Sequence, residues 1–555
     1  MRSTFMGLEA SKRGLFTQQT ALYTTGHNIS NANTLGYSRQ RVNMQATPGF
    51  PTAGLNQPIY PGHLGTGVEA GSIQRIRDEF IDRQYRQETN KFGYWESRSN
   101  AISQMEDIMD EPSQFGLNAA LEQFWKGLED VSTNPENASS RKVAIERAKH
   151  LAQSFNYMDT QIKTIQGNLG NEINVSTDRI NSILKRIASI NKQIQEVEPN
   201  GHVPNDLYDA RDVLIDELNS YIPISIERVP SGGVASEVAE GSLTIKFKPY
   251  PSGTPIELVN GREYVALTTT GTDTTGTVAS IDGNDLSKAF QEIKISKLGE
   301  PPTKPAADAV GLESIKYNEL EPGKGKLLSL INSYGYAEYD AGGAFSGIKG
   351  YYPEALANLD KLASTFANIF NAVHKAGYDL TGVQNGLNFF ETMDGSTTIN
   401  ASNIKINEEF TKDSSKLAAS SAPNEVGNGK WAIELANLQS KAIGAGGFTI
   451  TVGANTVVVP PSTEHLDSAT FNSFYQGMIG KLGTDGEEAY QLNKTSENLL
   501  LSITYNRASV SSVSLDEEMT NMITFQQAYN ANARMITVVD ETLDKIINGM
   551  GRVGL

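Results

Sequence analysis

Apolar residues recur every seven positions at both ends of this chain. Near the N-terminus they are Leu8, Leu15, Leu22 and Ile29. Near the C-terminus they are Leu515, Met522, Tyr529, Ile536, Leu543 and Met550, with Met519, Ala533 and Ile547 at the intervening a/d-type positions. A seven-residue repeat keeps one narrow apolar seam along a helix, and such a seam wants another helix rather than a broad core. Both seams are therefore read as an assembly interface, with termini that pack together and then onto neighbours. The N-terminal seam is the poorer one, because Ser11, Gln18 and Thr25 hold its other positions. An antiparallel helix pair within one chain satisfies the same spacing. Short helices are marginal in water without packing partners, so both ends are expected to fold on assembly.

The pattern between the ends predicts the remaining elements. A proline-free helix covers 3–27, followed by the turn formers Asn28, Ser30, Asn31, Asn33, Thr34 and Gly36. Residues 48–72 hold Pro48, Pro51, Pro58 and Pro61 among several glycines, which excludes regular helix. From about 75 to 222 the pattern is helical. Residues 115–125 are amphipathic, Asn134-Pro135 breaks the run, and 141–166, 173–197 and 206–220 resume it. Between about 222 and 325, short alternating runs at 224–229, 243–247 and 264–267 are separated by Gly, Asp and Thr, as in a β-rich module. Helix returns at 327–332 and 353–375. Residues 378–500 read as mixed, with a hairpin over 448–459 turning at Ala454-Asn455. Ser514-Leu-Asp-Glu517 is a capping-box signature that opens a last helix ending near 548.

The fold class that follows is mainly α with an inserted β module, an α+β multidomain chain with long bundle or coiled-coil terminal helices. Its domains are nested and discontinuous. Residues 1–44 with 506–555 form a terminal coiled-coil assembly domain. Residues 45–222 with 326–505 form a helical rod-like domain with mixed segments, and 223–325 form a β-rich outer domain.

Charge and composition narrow the chemistry. The net charge is −17 over 555 residues, and no basic domain offers a nucleic-acid surface. The balance is uneven: residues 1–50 carry +4 and residues 514–555 carry −3, which favours the two ends meeting. There is no cysteine, so disulfides, thiolate metal sites and cysteine nucleophiles are excluded. No run reaches the roughly 18 apolar residues of a membrane span, and residues 1–10 contain no apolar h-region of a cleavable secretory signal. The six histidines form no His-x-x-x-His or His-Glu-x-x-His pair and read as solvated or capping residues. The Gly65-Thr-Gly67, Gly323-Lys-Gly325 and Gly444–Gly447 clusters lack phosphate-loop spacing and read as turns. Acidic pairs such as Glu408-Glu409 and Glu487-Glu488 would suit glycoside hydrolysis only across a cleft. No cofactor, catalytic or metal site is expected, and the chain reads as a non-enzyme.

The stretch His27-Asn-Ile-Ser-Asn-Ala-Asn-Thr-Leu-Gly-Tyr37 resembles the N-terminal motif of bacterial flagellar rod, hook and hook-associated proteins, with Leu35 where the usual pattern has proline. Its turn residues are Asn28, Asn31, Asn33, Gly36 and Tyr37, and Ser38-Arg-Gln-Arg-Val42 agrees. Residues Phe525–Ile536 resemble the matching C-terminal motif. The blocks at 116–135, 205–218 and 356–382 resemble the hook-associated protein 1 family, the first hook–filament junction proteins. The similarity covers about 1–225, 325–410 and 490–555.

The resemblance implies a secreted structural subunit of the extracellular flagellum at the hook–filament junction, needed for filament assembly. Export would use the flagellar type III route, without a cleavable signal peptide. Its implied partners are further copies of itself in a ring, the hook protein, a second junction protein next to the filament, and a cytoplasmic export chaperone on the C-terminal segment. Nucleic acid and membrane insertion are not implied. The competing readings are a hook or distal-rod axial protein, and, in a different class, a surface-exposed binding protein or hydrolase on a flagellar scaffold.

Overall fold

A computed structural model describes the chain apart from residues 1–4, 51–63, 110–115, 251, 274–276, 341–344, 385, 445, 454, 460–465 and 550–555. Helix α1 (Met6–Ser30) turns into the antiparallel ribbon of β1 (Gln40–Ala46) and β2 (Val68–Arg75). Helices α2 (Glu79–Met109), α3 (Leu117–Thr133), α4 (Ala138–Val197) and α5 (Asn205–Tyr221) follow. Strands β3 (Ile224–Val229), β4 (Ser242–Phe247), β5 (Ile256–Asn260) and β6 (Glu263–Tyr264) make a four-stranded meander. Strands β7 (Leu267–Thr272), β8 (Val278–Ser280), β9 (Ala289–Ile295) and β10 (Ser314–Lys316) belong to a second sheet. Helix α6 (Lys326–Tyr334) leads into β11 (Tyr336–Tyr339) and β12 (Phe345–Lys349), which join that second sheet beyond residue 325.

Helix α7 (Tyr351–Ala376) precedes two small hairpins and two short helices. These are β13 (Phe390–Thr392) with β14 (Ile404–Ile406), α8 (Glu408–Lys412), α9 (Lys430–Asn437), and β15 (Phe448–Val452) with β16 (Asn455–Val459). The chain ends in α10 (Phe471–Ser511) and α11 (Leu515–Gly549).

Four elements differ from the pattern-based reading, the first being α1, which runs to Ser30 and so takes in Asn28 and Ser30, expected in the turn. The two helices expected over 141–197 are one helix of 60 residues, about 90 Å long at 1.5 Å per residue. Gly167 does not break it. That glycine lets the chain at Gly283 lie close, where a Cβ would sit 2.4 Å from the Gly283 carbonyl oxygen. The run at 264–267 is not one strand: Tyr264 ends β6 and Leu267 opens β7. The mixed region expected to reach residue 500 instead turns into the 41-residue α10 at Phe471. Its Gly477, Gly480, Gly483 and Gly486 each cost about 1 kcal/mol of helix propensity. Packing outweighs them, because Tyr475, Leu482, Ala489 and Ser496, at steps of seven, are buried. Antiparallel to α10 lies α2, with Gly486 beside Glu106 and Arg507 beside Asp82. The turn residue Ala454 of the expected hairpin lies outside the described residues.

The β segments lie along α4. Asn174, Asn181 and Asn191 donate to the carbonyls of Ile281, Leu267 and Leu243 at 2.6, 2.9 and 3.0 Å. Asn181 Oδ1 also accepts from the Leu267 N–H at 2.7 Å. An amide side chain has both a donor and an acceptor, so it substitutes for a neighbouring strand. The core behind α4 is aromatic: Phe124 and Trp125 of α3 meet Phe366 and Phe370 of α7, Phe390, and Phe471 at the start of α10. His374 sits in this core, fully buried, against Phe370, Phe389 and Phe410. It is neither solvated nor a cap. Its Nε2 accepts the Ala418 N–H at 3.0 Å, and burial pushes its pKa down to about 4.

Candidate assembly site at the terminal helices

Helices α1 and α11 form an antiparallel pair within the chain. Gly7 lies against Val539, Gly14 against Asn532, and Asn28 against Glu518. The buried line of α1 is Gly14, Thr17, Ala21, Thr24 and Asn28, with Thr25 beside it. Leu15, Leu22 and Ile29 each follow a member of that line by one residue, and with Leu8 they sit half-buried on its flank. The line serves two neighbours: Gly14 faces the Asn532 side chain of α11, whereas the Thr17 hydroxyl donates to the Val68 carbonyl of β2 at 3.1 Å.

On α11 the line facing α1 runs through Glu518, Asn532 and Val539. Met522, Tyr529, Ala533, Ile536 and Leu543 are half-buried. Leu515, Met519 and Ile547 are exposed, at 49%, 51% and 70%. Met550 lies outside the described residues. Phe16 and Tyr23 are exposed on α1 and Ile523 on α11. The pair therefore carries apolar side chains that its own contact does not cover.

The turn after α1 is built around Asn28. Its Oδ1 accepts from the Tyr37 hydroxyl at 2.8 Å and from the Gln40 N–H at 3.0 Å. Its Nδ2 donates to the Gln40 carbonyl at 2.8 Å and to Glu518 Oε2 at 3.1 Å. Burial, with Asp206, Asp209 and Glu518 nearby, pushes the Tyr37 phenol above its usual range and keeps it a donor. Asn31 Nδ2 donates to the His27 carbonyl at 3.1 Å, and Asn33 is exposed. Gly36 has φ +81°, and a Cβ there would lie 2.1 Å from Val213 Cγ2, so both backbone and space require glycine. Leu35 is 90% exposed at the tip.

Arg39 ties the turn to everything around it. Its N–H donates to the Ser511 carbonyl at the end of α10, and its carbonyl accepts from Ile76 after β2, at 2.9 and 2.8 Å. Its guanidinium reaches Glu517 at 2.6 Å and Glu518 at 2.7 Å. The opposite charges of the two ends meet here. Ser514 Oγ accepts the Glu517 N–H at a long 3.5 Å, and the Glu517 carboxylate is turned to Arg39.

Beneath the turn lies a buried charge cluster that the sequence reading missed. Arg75 reaches Asp209, Asp212 and Glu240 at 2.6, 2.9 and 2.5 Å. Arg77 pairs with Asp82 and Asp212, Arg86 with Asp212 and Asp216, and Arg507 with Asp82 and Asp216. Burial works against the charge on Asp212, but Arg77, Arg75 and Arg86 outweigh it and hold its carboxyl well below the usual range. The available signal was the spacing of Asp206, Asp209, Asp212 and Asp216, which puts four carboxylates on one face of α5. An open cleft of about 1110 Å³ adjoins the cluster, with walls from α2, α5 and β3.

Among the described residues, no helix is long and apolar enough to cross a membrane. Among them, too, no group of three or more His, Cys, Asp or Glu side chains is placed to hold a metal ion.

Comparison with known proteins fits this geometry. The sequence model of the flagellar hook-associated protein FlgK helical domain matches residues 102–390, and that of the flagellar basal body rod FlgEFG protein C-terminal region matches 507–549. Flagellar hook-associated protein 1 of Bacillus subtilis strain 168 is 39% identical, over 99% of both chains. The protein of the same name from Salmonella typhimurium is 24% identical, over 96% of this chain and 98% of its own. The solved structure of the flagellar hook junction protein FlgK from Burkholderia pseudomallei shares the fold, with a TM-score of 0.55 at 13% identity over 77% of this chain and all of that one. The chain belongs to the flagellar hook-associated protein 1 family.

Proposed function

We propose that this chain is a structural subunit of the extracellular bacterial flagellum, joining hook to filament and assembling with the proteins on either side. The observation that carries this reading is 39% identity to a hook-associated protein 1 along nearly the whole length, both terminal segments included. The family is structural and not enzymatic. The match at 507–549 alone would suit a hook or rod protein; the helical-domain match at 102–390 separates the two readings.

The finer assignments are ours. Copies self-associate into a ring, with the hook protein below and a second junction protein above. A cytoplasmic chaperone holds the C-terminal segment before export, and export needs no cleavable signal. The ring interface uses the half-buried flank of Leu8, Leu15, Leu22 and Ile29, together with Leu515, Met519, Met522, Tyr529, Ala533, Ile536, Leu543, Ile547 and Met550. In support, one chain buries the small-residue line of α1 and leaves Leu515, Met519 and Ile547 exposed. Exposed apolar rows of this kind mark interaction surfaces.

The test is a clean gene deletion in the source bacterium, with electron microscopy and a flagellin assay of the medium. Hooks without filaments, flagellin lost to the medium, and rescue by the intact gene are expected. Normal filaments would overturn the junction role, and loss of the hooks would favour a rod or hook protein.

A further inference from the structure

Two short links join the terminal module to the helical body: residues 76–78, between β2 and α2, and residues 512–514, between α10 and α11. Links of this length with nothing around them would act as a hinge. Here both are clasped. Arg75 immediately precedes the first link, Arg77 lies within it, and Arg507 precedes the second by just over one helical turn. All three guanidinium groups end on the carboxylate face of α5, as does Arg86 of α2. The N-terminal end of the same row takes the turn: Asp206 accepts from Gln40 Nε2 at 2.9 Å, and Asp209 from the Ser38 N–H at 2.9 Å and hydroxyl at 2.7 Å. The side chains of Arg75, Asp209, Asp212 and Asp216 are 4%, 7%, 13% and 13% exposed, so solvent screens these pairs little.

We infer that α5 is the lock of this joint: the buried Asp209 and Asp212, with the exposed Asp206, hold the β1–β2 ribbon at one fixed angle to the helical body, and Asp216 fixes α5 to α2 and α10 through Arg86 and Arg507. Rotating the ribbon would strip partners from the buried Asp209 and Asp212 together, so intermediate angles are disfavoured together and not one by one. The lock is a property of a single chain. It stands or falls whatever the chain assembles with.

The natural absence of cysteine makes the test clean. Ala70→Cys on the ribbon and Ser182→Cys on α4 are exposed sites for nitroxide labels in the full-length chain. Double electron–electron resonance should give one narrow distance distribution. Adding Asp212→Asn or Asp209→Asn should widen it at least twofold while circular dichroism shows the body still folded. A broad distribution in the chain with an intact row overturns the lock, and so does an unchanged width in both folded variants. If Asp212→Asn does not fold, Arg77→Gln, which leaves every carboxylate of the row in place, takes over, and an unchanged width there is equally decisive against it.

Discussion

Asn28 shows how much one side chain can settle. It makes four hydrogen bonds while 1% exposed, joining the end of α1, the Tyr37 turn, the first ribbon strand and α11. Asn28→Asp keeps the shape but places a carboxylate against Glu518. Removing a donor from a buried pair and adding a like charge should cost about 3 kcal/mol locally. Faster hydrogen exchange along α1, with α4 unchanged, is the expected result. Protection of α1 equal to that of the unaltered chain would count against the hub. His374 gives a second test at this scale. Its folded pKa of about 4 lies below the free value of 6.5, so the unfolded chain takes up the proton first. The stability held by neutral His374 is thus complete above about pH 6.5 and is lost as pH falls toward 4, by about 3 kcal/mol in all. Melting of the helical body at pH 7 and pH 5 should therefore differ less in His374→Gln than in the unaltered chain. An equal drop in both would remove His374 from the acid sensitivity.

Among the elements, α1 and α11 show why periodicity is a partial guide. The seven-residue step correctly marks both as helices that need partners. It does not mark which line is buried, because Gly14, Ala21 and Asn28 repeat with the same period as Leu15, Leu22 and Ile29 one residue later. Hydrophobicity picks the leucines, whereas close packing against α11 and β2 picks the small residues. The leucine flank and the exposed side of α11 are left for a neighbouring chain in our reading. Ile536→Asp tests this, since a charge beside the pair penalises any dry contact it enters. The variant should fail to incorporate into flagella while the middle of the chain melts normally. Normal incorporation would refute the interface. Helix α10 makes the opposite point: four glycines hide a 41-residue helix from any propensity argument, and its packing on α2 restores it.

In the whole molecule, apolar burial is concentrated in the body. Trp125, Phe124, Phe155 and Trp431 are completely or almost completely buried there, each contributing about 2–3 kcal/mol. The buried line of α1 offers glycine, alanine, threonines and an asparagine instead. Local opening free energy follows buried apolar contact, so the ends should open long before the body. Brief protease treatment of the monomer is expected to remove the terminal helices α1 and α11 first and leave the clasped ribbon, α10 and the body. Resistant ends in a proven monomer would be the contrary result. The sequence by itself determined the helical ends, their opposite charges, the helical stretches and the β-rich insert. Each of these rests on local periodicity, turn chemistry or summed charge. Only the tertiary structure decided that α4 is a single rod, that the sheets lie along it, that small residues line the buried face of α1, and that four arginines from three segments converge on α5. Those features depend on which distant surfaces meet, and contacts between residues tens to hundreds of positions apart leave no periodic trace in either partner.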